Sequence, residues 1–254
     1  MRRFVPILIA GLPVAVAIRM LGGSEALMFA AAALSLVPLA GWIGEGTEHL
    51  AARLGAGLGG LLNATFGNAA EIIISIFALR RGLVGLVKAS LTGSIIGNTL
   101  LILGTSLFVG GVRHGPQTFD SKSAGRHATM MILAVSAMAL PAIFGSVQPD
   151  VFVREEVSVG VSILLLATYG AYVAYSYFSA ESRRREAKKP LADAPTPVWS
   201  VRRAAAVLGG AVVGTVVASE LLVHSVQGVT RSLGLSPFFI GLIVVPIIGN
   251  VAEH

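Results

Sequence analysis

Seven times along the chain an apolar run reaches the length needed to cross a ~30 Å hydrocarbon layer, about 20 residues, and an eighth begins near Pro237. The runs lie near Phe4–Met20, Ala26–Ile43, Leu61–Leu79, Leu83–Gly110, Ala128–Gly145, Val157–Phe178 and Ala204–His224. They are continuous and rich in Leu, Ile, Val, Ala and Gly, whereas a transmembrane barrel shows ~10-residue segments of alternating polarity. Inside a bilayer every backbone N–H and C=O must find a partner in the protein, and a continuous apolar run does so as a helix. The expected fold class is therefore an all-α polytopic membrane protein. Charged residues make up 13% of the 254 positions, against ~25% in a soluble domain, which sets a soluble enzyme aside.

The chain has no cysteine, so disulfides, thiolate metal sites and cysteine nucleophiles are all absent. Any cation must be held by oxygen or imidazole. No nucleophile–base constellation or metalloprotease helix is present, since His49 adjoins Glu48 but has no second His four residues on. Neither an enzyme nor a cofactor is expected. The net charge of +6 points to no nucleic acid, because in a membrane protein the placement of the charges decides their meaning. Of the 19 Lys and Arg, 13 fall on the N-terminal side by loop parity, which makes the N-terminus cytoplasmic. Seven of these lie between Arg183 and Arg203, in a basic, proline-punctuated connector expected to be solvated, with contact to anionic headgroups as the alternative. The first segment, from Met1-Arg2-Arg3 to Ala15-Val16-Ala17, also fits a signal peptide. An uncleaved first helix agrees better with the later spans.

The most informative pattern is an internal repeat. Gly59-x7-Gly67-Asn68-Ala69-Ala70-Glu71 recurs as Gly241-x7-Gly249-Asn250-Val251-Ala252-Glu253. The copies fall in spans three and eight, an odd number apart, and so cross the membrane in opposite directions. Inverted repeats of this kind characterise secondary transporters, with the ion site near the midplane where discontinuous helices meet.

Glu71 lies ten residues into its span, ~15 Å deep and close to mid-membrane. An ionisable group there faces the protein interior and marks an ion path or proton relay. Asn68, Glu71 and Ser75 share one helix face, and Ser90, Ser94 and Asn98 form a second stripe at i, i+4 and i+8; packing or interhelical hydrogen bonding is the alternative role for the serines. Carboxylate, amide and hydroxyl oxygens suit a hard cation such as Ca²⁺. Glu71 and Glu253 could neutralise one divalent ion, or hold protons when it is absent, since desolvation favours the neutral carboxyl. Nearer the membrane edges, Glu48 and Glu220 with His224 occupy pseudo-symmetric places, suited to a proton relay or to the two mouths. His114 and His127 are expected at the surface.

At these residues the sequence resembles the calcium/proton exchanger (CAX) branch of the calcium/cation antiporter superfamily. The resemblance rests on Gly60–Glu71, on Ala89–Asn98, on Ser219-Glu220 and Val223-His224, and on Gly249-Asn250-Val251-Ala252-Glu253-His254. It implies a leading helix and two inverted five-helix repeats, about eleven spans in all. It also implies a central site formed by Glu71 and Glu253 and lined by Asn68, Asn250, Ser94 and Asn98; His254, at the end of the second motif, joins Glu48, Glu220 and His224 as a relay or mouth residue. The activity implied is export of cytosolic Ca²⁺ against incoming H⁺, with Na⁺/Ca²⁺ or Mn²⁺/H⁺ exchange as alternatives. On this pattern residues 1–25 are the leading helix and connection, 26–178 the first repeat, 179–203 the linker and 204–254 the start of the second repeat. Roughly three and a half further spans would lie beyond His254, so a non-transporting half-protein is the remaining reading. The partners expected are Ca²⁺, H⁺ and the bilayer of a prokaryotic cell membrane; a homo-oligomer is allowed. The basic linker departs from the acidic segment many relatives carry there, which argues against Ca²⁺ regulation through it.

Overall fold

The structure, a computed structural model, describes residues 8–178 and 199–250. Among them there is no strand. The helices are α1 (Gly11–Met20), α2 (Glu25–Phe66), α3 (Ala69–Arg80), α4 (Val84–Ile96), α5 (Gly104–His114), α6 (Ser121–Val147), α7 (Val151–Phe178), α8 (Val201–Leu233), α9 (Pro237–Phe239) and α10 (Val245–Asn250). Two π-helical turns, Gly97–Leu103 and Ile240–Val244, join α4 to α5 and α9 to α10. Most of the linker expected at 179–203 lies outside the described residues, as do Glu253 and His254.

Among the described residues, length and composition give five candidate spans, Glu25–Leu54, Val84–His114, Ala124–Val147, Val151–Tyr175 and Val201–Leu233, with Gly11–Met20 and Pro237–Gly249 as shorter apolar helices. The difference from the expected count centres on residues 44–66. The spacing of the second and third runs predicts a loop between them, yet helical backbone continues to Phe66. Gly44–Gly60 contains no proline, and its Glu, Leu, Ala and Arg residues favour helix. The run is nevertheless not straight. A Cβ added at Gly59 would lie 2.7 Å from the carbonyl oxygen of Ala51, eight residues earlier, a separation of ~12 Å along a straight helix. The chain therefore turns back between them, and glycines supply the room. The third expected span is then two half-helices, the end of α2 and all of α3, interrupted at Gly67-Asn68.

The chain packs as two compact units, Met1–Val109 with Pro190–His254, and Gly110–Lys189. In the first, α2 and α8 lie along each other through small residues. A Cβ at Gly46 would meet the Leu208 Cβ at 3.0 Å and the Ala204 carbonyl at 3.2 Å, and one at Gly214 would meet Leu39 at 2.7 Å. Leu36, Leu222 and Val226 are fully buried in this interface. Without a hydrophobic drive between helices in lipid, such close approach is what lets dispersion hold them. The second motif packs on α4 by the same means: Gly93 abuts the Leu242 carbonyl, and a Cβ at Gly241 would lie 2.6 Å from the Leu86 carbonyl. α8 starts at a Ser200 cap whose side chain accepts from the Arg203 N–H at 3.3 Å, and stops at Gly234 in the left-handed conformation, φ 68°. The Ser236 side chain and Pro237 then open α9.

In the second unit α6 and α7 form a helical hairpin, with Asp150 Oδ1 accepting the Phe152 N–H at 2.9 Å. Their outward Ile132, Leu140, Ile143, Leu164 and Leu166 are exposed, the pattern expected of faces that meet lipid. The glycine contacts carry a prediction. Gly241→Ala should cost about 1–3 kcal/mol, the range for overpacking a tight contact, read as a lower midpoint of thermal unfolding in detergent. Gly209→Ala, whose Cβ meets nothing within 4 Å, should leave the midpoint unchanged or raise it.

Candidate cation site

Interrupting a helix frees backbone groups and creates a new N-terminus within the fold. The last bond of α2 runs from Gly67 N–H to Asn63 O at 2.8 Å, and α3 begins with Ile72 N–H to Asn68 O at 3.0 Å. Glu71 falls in the first turn of α3, where the partial positive charge of the helix end favours a carboxylate. It is 8% exposed. Its carboxyl group lies directly against Gly249, where an added Cβ would be 2.8 Å from Cδ. The glycine of the second motif thus forms the floor under the glutamate of the first. The two copies, distant in sequence, meet at this carboxylate.

A polar cavity of about 720 Å³ opens beside this point. Its walls are the two arms of the folded-back α2 run, with Glu45 and Glu48 on one and Gly59, Asn63, Gly67 and Asn68 on the other. It reaches Ala70, the neighbour of Glu71. Glu48, expected from the sequence at a mouth or in a proton relay, is one of the residues lining it. Glu45 and Asn63 are not singled out by sequence reasoning; the reversal at 51–59 brings them to one cavity, and the glycines at 55, 57, 59 and 60 are its local signal.

The second stripe is buried in part, and none of its residues lines the cavity. Ser90 is buried, and Ser94 is half-buried with its Oγ enclosed and given no hydrogen-bond partner among the described residues. Asn98 is exposed. It lies in the π turn Gly97–Leu103, and the extra residue of a π turn rotates the residues after it away from an α-helical stripe. Ser75 is half-buried on α3. On α8, Glu220 is exposed and His224 half-buried, its Nδ1 enclosed without a hydrogen bond among the described residues. Neither lines the cavity. Thr47 and Ser219, each preceding one of the paired acids Glu48 and Glu220, are both buried with enclosed hydroxyls. Asn250 ends α10, with only its backbone described. His127, at a small pocket with Tyr169 and Tyr172, and His114 are both exposed. Among the described residues no three His, Asp or Glu side chains gather into a metal-holding group; Glu71 is the described member of the expected pair.

Residues 24–178 and 203–254 match the family model described as sodium/calcium exchanger protein. The chain belongs to this family, and within it to the calcium/proton exchangers. It is 40% identical over 259 residues to the Ca²⁺/H⁺ antiporter ChaA of Bacillus subtilis, spanning all of this chain and 72% of that one. It is 39% identical over 270 residues to the Ca²⁺/H⁺ antiporter of Synechocystis, covering 98% and 71%. The vacuolar cation/proton exchanger 1 of Arabidopsis thaliana is 36% identical over 265 residues, covering 98% and 57%. The solved structure of native YfkE superposes with a TM-score of 0.80 at 38% identity, over 98% of this chain and 70% of that one. The fold is thus that of an integral-membrane antiporter. The contact between the repeats is testable without transport. Gly249→Ala should lower thermal stability, and Glu71→Ala in the same background should recover part of the loss. A double-mutant cycle should give a coupling of about 1–2 kcal/mol, whereas Gly85→Ala, with open space around it, should not couple to Glu71.

Proposed function

We propose that this chain carries the cation-binding machinery of an antiporter that exports Ca²⁺ from the cytosol in exchange for H⁺. The observation that supports the reading most is Glu71: a buried carboxylate at a helix interruption, seated on the second motif, next in sequence to Ala70 on the wall of a cavity. Its carboxylate and that of Glu253 hold either one divalent ion or protons, with the oxygens of Asn68, Asn250 and Ser94 completing the shell and Ser75, Ser90 and Asn98 along the pathway. Because the same oxygens cannot hold both ions, occupancy by one expels the other, which couples the two fluxes.

With the N-terminus cytoplasmic, the cavity between the arms of α2 opens to the cytosol. Glu48 at its rim concentrates cations by its charge, and Glu220 with His224 serves the opposite mouth. His254 stands beside the second carboxylate as a relay. Alternating access results when the paired repeats exchange which side is open. The names of the bacterial relatives favour protons as counter-ion; the family description also includes sodium.

The deciding experiment is Ca²⁺ uptake by the intact protein in inside-out vesicles with an acidic interior. Glu71→Gln should abolish uptake, as should collapse of the proton gradient. Undiminished uptake by Glu71→Gln would falsify the two-carboxylate site, and uptake driven by an imposed Na⁺ gradient alone would change the counter-ion. Acidifying the cytosolic face should weaken apparent Ca²⁺ affinity, by about tenfold per pH unit for each proton released on binding, once the pH lies below the carboxyl pKa. Equilibrium Ca²⁺ titrations at several pH values measure this.

A further inference from the structure

Glu45 lines two cavities. Besides the polar one it borders a lateral groove of about 340 Å³ between α2 and α8, with Trp42, Trp199 and Arg203 above and Ala206 and Gly210 below. Cation transport as proposed makes no use of this groove. Its upper part is rigidly built. Arg53 Nη2 donates to the Trp199 carbonyl at 2.8 Å, and the His49 ring lies 4.5 Å from the Trp199 ring at 34°. The Arg203 guanidinium carbon sits 4.7 Å from the centroid of that same indole, so the cation–π contact fixes the arginine in place.

The groove lies at the start of α8, where Trp199 is held by Arg53 from the end of the span Glu25–Leu54, and tryptophans at span ends sit among headgroups. Below it Ala206 and Gly210, four residues apart on α8, leave a side-chain-free slot; a Cβ added at Gly210 meets nothing within 4 Å. The charges select the occupant. A purely anionic headgroup gains Arg203 and is repelled by Glu45. A quaternary ammonium gains Glu45 only as a point charge and finds the Trp199 ring already occupied by Arg203 and His49. A headgroup with both a phosphate and a primary ammonium satisfies both side chains, the ammonium donating hydrogen bonds to the carboxylate.

We propose that this groove binds an ethanolamine-type phospholipid, its phosphate on Arg203, its ammonium on Glu45 and one acyl chain along Ala206 and Gly210. Lipid bound here takes up charge from a wall of the cation cavity and so tunes Ca²⁺ recruitment. That consequence rests on the transport reading; the lipid site does not.

Trp42 and Trp199 are the chain's only tryptophans, so its intrinsic fluorescence reports this groove. The protein in phosphatidylcholine vesicles is titrated with phosphatidylethanolamine brominated in its acyl chains, or with the matching brominated phosphatidylcholine. Half-maximal quenching should need about threefold less of the ethanolamine lipid, the size expected of one interfacial ion pair. Glu45→Gln and Arg203→Gln should each remove the preference, with near-ultraviolet circular dichroism checking that the indoles keep their surroundings. Equal quenching by both lipids overturns the proposal. So does a preference that survives both substitutions, or a stronger one for brominated phosphatidylglycerol, which would mark a phosphate-only site. None of these readouts depends on Ca²⁺ transport.

Discussion

A buried carboxylate has to be surrounded by protein, and in this chain that requirement is met by removing side chains elsewhere. Glu71 can sit where it does because Gly249 presents bare backbone beneath it. The approach of the second motif to the first depends in turn on Gly93 and Gly241, which let the second-motif segment settle on α4. Small residues are thus arranged around the charge much as ligands are arranged around an ion. The helix interruption at Gly67-Asn68 completes the setting by aiming the start of α3 at the same point. Desolvation is the cost of the site, and backbone proximity with a helix end offsets it.

Periodicity and repetition make a good part of this legible. The apolar runs identify the helices, and the recurrence of Gly-Asn-x-Ala-Glu at matching spacing singles out Glu71 and predicts that the two motifs meet. The contact of Glu71 with Gly249 is the physical form of that recurrence. The features that stay hidden depend on departures from ideal helices. The reversal between Ala51 and Gly59 takes place within helical hydrogen bonding and without a proline; the glycines at 55, 57, 59 and 60 permit it, but between two apolar runs they read equally as a loop, and the positions of Glu45 and Asn63 are hidden with it. The π turn at Gly97 has the same effect on Asn98: the i, i+4, i+8 rule holds from Ser90 to Ser94 and fails one turn later. Sequence rules assume a constant angular step, and functional segments are where that step changes.

The two cavities also show how one side chain can belong to two environments. Glu45 borders a polar space on one side and an aromatic groove at headgroup depth on the other. A wall one residue thick transmits charge without any rearrangement of the backbone, so lipid chemistry and ion chemistry become neighbours through a single carboxylate.

The order of residues along the chain has a consequence for how the protein is made. Both walls of the polar cavity come from one contiguous stretch, residues 40–70, and can come together as soon as that stretch has left the ribosome. The floor under Glu71 arrives only with Gly249. At ~5–20 residues per second the gap between them lasts roughly 10 to 40 s. Throughout that interval the insertion machinery holds a membrane-embedded acid whose final neighbour has not yet been synthesised. Helices α4 to α8 are threaded before that neighbour arrives, so a group costly to desolvate spends much of synthesis without the backbone that later lies beneath it.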